Sequence, residues 1–164
     1  EASYLQRVAN FENVLLLRTV SKLGLAGIRL GALIGPRAWM RELDKLRLPY
    51  NINVLTQATM AFAMQNYPVF ERQAQQLRME RERLYKNLGA LEGLKAYPSH
   101  ANFILFRLDY YVADTVHAEL KSQRILLKNV SHASPLLAAC LRVTVGAPDE
   151  NRIFLTALQS ILAE

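Results

Sequence analysis

An α/β fold is predicted by the way two kinds of segment alternate along the 164 residues. Short, nearly continuous apolar runs (NVLLLRTVS, LGALIG, ANFILFRL and CLRVTVG) suit buried strands, and between them lie longer segments with apolar residues every three or four positions. Glycine or proline punctuates the joints, at Gly35 and Pro36, at Gly93 and at Pro148.

Taken in order, Asn13 to Ser21 reads as a strand buried on both faces, and Leu30 to Gly35 as a second strand stopped by Gly35 and Pro36. A helix is expected from Pro36 to Leu46, since proline is tolerated in a first turn. Val54, Leu55, Ala58, Ala61, Phe62 and Gln65 have helical spacing, and Pro68 interrupts or ends that helix. The long segment VFERQAQQLRMERERLYKNLGAL, Val69 to Leu91, carries an apolar stripe of Leu77, Leu84, Leu88 and Leu91, while Arg78 with Glu82 and Glu82 with Lys86 stand four apart on the wet side. Beyond Gly93 the period changes. Ala101 to Leu108 is apolar on both faces apart from Asn102 and Arg107, as a central strand requires. A helix follows from Asp109 to Gln123, then two short strands, RILLKN and CLRVTVG. A last helix runs from Pro148 to Leu162, with Asp149 and Glu150 at its positive N-terminal end.

Composition narrows the function. The hydrophobic content of 51% supports one or two cores, with neither a long apolar span nor a signal-peptide pattern, so a soluble chain with no membrane partner is expected. The single cysteine, Cys140, forms no intrachain disulfide and no Cys/His spacing suits a metal, which favours a cytoplasmic location and no metal site. The net charge of +6 is spread along the chain without a short basic run, which argues against nucleic acid. Dispersed arginines suit anionic small substrates, because guanidinium grips carboxylates and phosphates in a bidentate fork.

One stretch concentrates chemistry: LRTVSKLGLAGIRLG, Leu17 to Gly31. A lysine at the end of a buried strand, between a hydroxyl residue and a glycine-rich turn, is fixed and partly desolvated, as imine chemistry requires. Ser21 and Thr19 offer hydroxyls and Arg29 a double donor, so a phosphate can be gripped near the Lys22 amine without a P-loop. The alternative is an exposed turn that Gly24, Gly27 and Gly31 merely shape. In CLRVTVG, Leu141, Val143 and Val145 share one face and Arg142 and Thr144 the other, so Arg142 points away from the core, into a cleft or simply into water. His100, His117 and His132 have no spacing of a ligand set.

RTVSKLGLAGIRLG resembles the cofactor-lysine segment of fold-type I pyridoxal-phosphate aminotransferases, in the wording of the histidinol-phosphate aminotransferases. LPYNINVLTQ, PSHANFILFRL, ILLK and CLRVTVGAPDEN agree in order, so the resemblance spans nearly the whole chain. It implies that Lys22 carries pyridoxal 5'-phosphate and moves the substrate's α-proton, and that Ser21 and Arg29 bind the cofactor phosphate. It further implies that Arg142 clamps an α-carboxylate, that Lys128 stands where the family has an arginine contacting the phosphate of histidinol phosphate, and that Asn102 lies near the substrate. A strand-end hydrogen bond is the plainer role for Asn102. Tyr50 and Asn51 lie in a shared motif without an assigned step.

Three departures from the family pattern qualify the match. One residue is missing between Lys22 and the glycine of GLAG, Lys128 lacks the guanidinium fork, and the aspartate that pairs with the pyridine nitrogen has no counterpart. The expectation is therefore the C-terminal part of such an enzyme, inactive alone. Residues 1–65 are expected to end the large cofactor-binding domain, 66–92 to form a connector helix, and 93–164 to form a small α+β domain. The implied reaction passes an amino group between L-histidinol phosphate and 2-oxoglutarate in histidine biosynthesis, with a homodimer as the assembly. The alternatives are a related aminotransferase, a decarboxylase acting on another amino acid or its phosphate, and a non-catalytic chain.

Overall fold

The structure, a computed structural model, describes residues 4–163. The chain divides into two compact units, Glu1–Arg72 and Gln73–Glu164.

In the first unit, β1 (Leu16–Thr19) pairs antiparallel with β2 (Gly31–Ile34), Leu16 opposite Ile34 and Thr19 opposite Gly31. Two short 3-10 turns, Ser21–Leu23 and Ala26–Ile28, fill the connection. Helix α1 (Arg37–Asp44) starts directly after Pro36, and the Trp39 indole N–H donates to the Glu12 carbonyl at 3.0 Å. Helix α2 (Val54–Gln65) starts where the Asn53 side chain accepts the Thr56 N–H at 2.9 Å, an N-cap that satisfies one of the free amides of the first turn.

The expectation for Asn13–Ser21 needs correcting: β1 is a strand but not a buried one, and Leu17 is 75% exposed. The apolar run is real, yet a sheet of two strands has no second layer to cover it, and a short hairpin buries little by itself.

Helix α3 (Tyr67–Gly89) begins beside Pro68, which ends α2 as anticipated because proline supplies no N–H to continue it. The second unit is an antiparallel four-stranded sheet with spatial order β3 (Leu94–Ala96), β4 (Phe103–Leu108), β6 (Cys140–Thr144), β5 (Lys128–Asn129). Helix α4 (Ala113–Ser122) lies between β4 and β5 in sequence, and α5 (Pro148–Leu162) closes the chain. Alternate residues of β4 and β6, Ile104, Phe106, Leu108, Leu141 and Val143, are buried against Leu84 and Leu88 of α3, Val116 and Leu120 of α4, and Phe154 and Leu158 of α5. The core therefore occupies one face of the sheet. β4 is central as expected, but its second face, carrying Phe103, Leu105 and Arg107, is only half-buried.

Two further expectations change. RILLKN contributes only Lys128 and Asn129 to the sheet, because Ile125 and Leu127 leave α4 to pack on the core and Arg124 turns the chain at φ 65°. On α3 the expected four-apart pairs are replaced by Arg81 with Glu82 and Arg83 with Glu80, since the buried Glu80 and the mostly covered Arg81 take the nearest partners. Among the described residues no helix is long and apolar enough to cross a membrane.

Candidate active site

The residues the sequence singles out fall in two units, and each group is described within its own unit. In the first, the Thr19 hydroxyl donates to Ser21 Oγ at 2.9 Å and itself accepts the Ser21 N–H at 3.1 Å. Ser21 Oγ is thereby used as an acceptor, which leaves its own proton to donate to an anion. Lys22 follows within the 3-10 turn Ser21–Leu23, and Gly24 closes that turn at φ +83°. Lys22 is exposed, not desolvated at the end of a buried strand, for the same reason that β1 is exposed.

Arg29 is held at φ 54° at the end of the second 3-10 turn, a left-handed conformation that costs a side-chain-bearing residue about 1 kcal/mol or more. The carbonyl just before it, on Ile28, accepts the Thr56 hydroxyl of α2 at 3.2 Å. Strain at an arginine is tolerated where its direction matters, and here α2 fixes the turn that sets that direction. One hydroxyl and one amine on the first turn and one guanidinium at the end of the second all lie in the connection between β1 and β2, and these are donor types that suit an anion and a carbonyl.

In the second unit, Arg142 of β6 lies directly opposite Lys128 of β5, and opposite Leu105 of β4 on its other side. Residues directly opposite share a face, so Arg142 and Lys128 stand together on the face turned away from the core. The Arg142 guanidinium lies over the Phe103 ring, 4.7 Å from its centroid. Among the described residues neither cation makes an ion pair. A second opposed pair on this sheet, Lys95 and Arg107, differs: there Asp109 neutralises Arg107 at 3.0 Å. Like charges placed opposite each other repel, and only the Lys128–Arg142 pair is left without an acid to offset that repulsion.

Asn102 immediately precedes β4, and its carbonyl accepts the Val145 N–H at 2.9 Å, so a strand-end hydrogen bond is present on its main chain. Cys140 is opposite Arg107 and buried, and burial pushes its thiol up, which makes it a poor nucleophile near neutral pH. No group of three His, Cys, Asp or Glu able to hold a metal occurs among the described residues.

Sequence reasoning missed a buried polar pair. Glu80 and Asn151 are each 6% exposed and are joined by a hydrogen bond of 3.1 Å. The signal was available: Glu80 lies three after Leu77 and four before Leu84, on the apolar stripe itself, and Asn151 stands three before the buried Phe154.

Residues 2–158 match the model of aminotransferase class I and II. The chain belongs to the class I and II aminotransferases. It is 53% identical over 160 residues to a histidinol-phosphate aminotransferase of Burkholderia lata, covering 98% of this chain and 44% of that protein. The chain thus spans less than half the length of that relative. It superimposes on histidinol-phosphate aminotransferase from Clostridium acetobutylicum with TM-score 0.88 at 20% identity, over 98% of this chain and 49% of that one. L-Threonine-O-3-phosphate decarboxylase from Porphyromonas gingivalis superimposes with TM-score 0.83 at 21% identity, over 97% and 50%. Those two likenesses establish the α/β fold of this aminotransferase-family chain and do not separate its reaction from decarboxylation.

Proposed function

We propose that this chain is part of a pyridoxal-phosphate-dependent aminotransferase that passes an amino group between L-histidinol phosphate and 2-oxoglutarate, in histidine biosynthesis. The observation that carries the reading is the Lys128–Arg142 pair: two opposed cations on one sheet face, without an acid among the described residues. Such a pair is relieved by an anionic ligand, and the two substrates supply a phosphate on one side and two carboxylates on the other. The 53% identity to a histidinol-phosphate aminotransferase supports that choice over decarboxylation.

In this reading the cofactor, when bound, supplies an aldehyde that captures the amino group and a ring that draws electrons from the substrate's α-carbon. Ser21 and Arg29 hold its phosphate, and Lys22 Nζ accepts the proton from the α-carbon of the donor and returns one to the α-carbon of the new amino acid. Arg142 fixes the α-carboxylate of glutamate through two parallel hydrogen bonds, which orients the Cα–H bond toward the base. Lys128, a point charge on a flexible stem, takes the distal phosphate or the distal carboxylate, and Asn102 stands beside the substrate. The domain roles follow: residues 1–65 complete the cofactor domain, 66–92 connect, and 93–164 read the substrate. A homodimer and a cytoplasmic location, which suits the free Cys140, belong to the same reading.

The test is a panel of amino donors on the full-length protein loaded with pyridoxal phosphate, followed by absorbance. Rapid spectral change with both histidinol phosphate and glutamate is expected. Release of carbon dioxide from a phosphorylated amino acid, with no net amino transfer, would replace this reading with the decarboxylase.

A further inference from the structure

We propose that Glu80 and Asn151 are positioning residues for the substrate face, holding Asn102, Phe103 and through them the Arg142 guanidinium in place. The proposal rests on the substrate role given to Arg142 above. Every polar group of the pair is used. Glu80 Oε1 accepts from Arg83 at 2.8 Å and Oε2 from Asn151 Nδ2 at 3.1 Å. The same Asn151 amide donates to the Gly146 carbonyl at 3.1 Å, and Asn151 Oδ1 accepts the Gly146 N–H at 2.9 Å. Asn151 thus pairs with both main-chain groups of one glycine, as a neighbouring strand does, and Glu80 fixes the orientation of its amide.

Gly146 is where this hold meets the substrate face. It follows Val145, whose N–H donates to the Asn102 carbonyl at 2.9 Å, and Phe103 pairs with Thr144 in the next register. The ring that carries the Arg142 guanidinium belongs to that same Phe103. From the adjacent position on α3, Arg81 reaches the Ala101 carbonyl at 3.5 Å, so α3 grips both sides of this corner of the sheet. The space is also specified: a β-carbon at Gly146 would stand 2.5 Å from Glu150 Oε2, which is already bound to the Ala147 N–H at 2.7 Å.

A carboxylate buried in this way is a poor source of stability, because an apolar residue of similar volume serves as well or better. What a fully satisfied polar network does supply is one geometry out of many. Geometry matters at an arginine whose two parallel hydrogen bonds need a fixed plane.

The experiment measures binding of glutarate, a dicarboxylate that does not react, to the full-length protein by calorimetry, together with pyridoxal phosphate affinity and melting temperature. Glu80→Leu and Asn151→Asp are expected to weaken glutarate binding about tenfold, the worth of roughly one hydrogen bond to a charged group, with cofactor affinity unchanged. Glu80→Gln keeps an acceptor for Asn151 and is expected to bind glutarate as the parent does. Arg142→Ala is the reference and must weaken glutarate by at least as much. Unchanged glutarate affinity in Asn151→Asp, with Arg142→Ala weakened, would overturn the positioning role and leave the substrate role standing. Unchanged affinity in Arg142→Ala would overturn the substrate role and the positioning role with it. Should Glu80→Leu fail to fold, Asn151→Asp and Glu80→Gln decide the matter by the same comparison.

Discussion

Replacing Arg142 by alanine separates substrate reading from structural support, because the structure sets opposite expectations for the two. On the structural side the substitution removes the guanidinium from the Phe103 ring, a contact worth about 0.5–1 kcal/mol at a partly exposed site. It also removes the repulsion from Lys128 directly opposite, which is worth roughly 0.2–1 kcal/mol in the other direction. The two nearly cancel, so stability should change by less than about 0.5 kcal/mol. On the functional side the loss of charge-assisted hydrogen bonds to a carboxylate costs about 1.5–3 kcal/mol, or roughly ten- to 150-fold in kcat/KM. Single-turnover spectra of the full-length enzyme should show this loss chiefly in the half-reaction with glutamate, because histidinol phosphate has no α-carboxylate. Lys128→Ala should show the reverse preference. Equal losses in both half-reactions for both variants, with weaker cofactor binding, would refute the reasoning and make these residues supports of the fold.

Two other perturbations follow from the local geometry. Arg29→Gly relieves the left-handed strain at φ 54° and, in the proposed reading, takes away a cofactor-phosphate ligand, so the melting temperature should hold or rise while pyridoxal phosphate affinity falls; undiminished affinity in a titration would take Arg29 out of the proposed phosphate site. The Asp114 carboxyl lies below its usual 3.8 because His132 and then Asn129 hydrogen-bond its charged form. Its contribution to stability is therefore complete above that value and is lost as pH falls through the lower value in the fold, so wild type and Asp114→Asn should differ in melting temperature at neutral pH and converge in acid.

Legibility in the sequence was uneven, for physical reasons. Helices α2 and α5 could be placed from local signals alone, since Asn53, Pro68 and Pro148 act on the backbone next to them. The outward direction of Arg142 was also legible, because a two-residue period ties it to Leu141 and Val143. That Lys128 stands opposite it was not, because the register of β5 on β6 is set by the loop from Val130 to Ala139, whose geometry no local pattern reports. The exposure of β1 was misread since apolar composition records a demand for cover and not its supply. Glu80 was hidden by its neighbours: within MERERL it looks like one more solvated charge until its place on the stripe of Leu77 and Leu84 is counted.

Lys22 is the proposed attachment point of the cofactor. Borohydride reduction of the full-length, cofactor-loaded protein, followed by peptide mapping, fixes the cofactor to whichever amine holds it. A pyridoxyl adduct is expected on Lys22 and is expected to be absent in Lys22→Ala. An adduct on a different lysine, or an unaltered adduct in Lys22→Ala, would contradict that attachment.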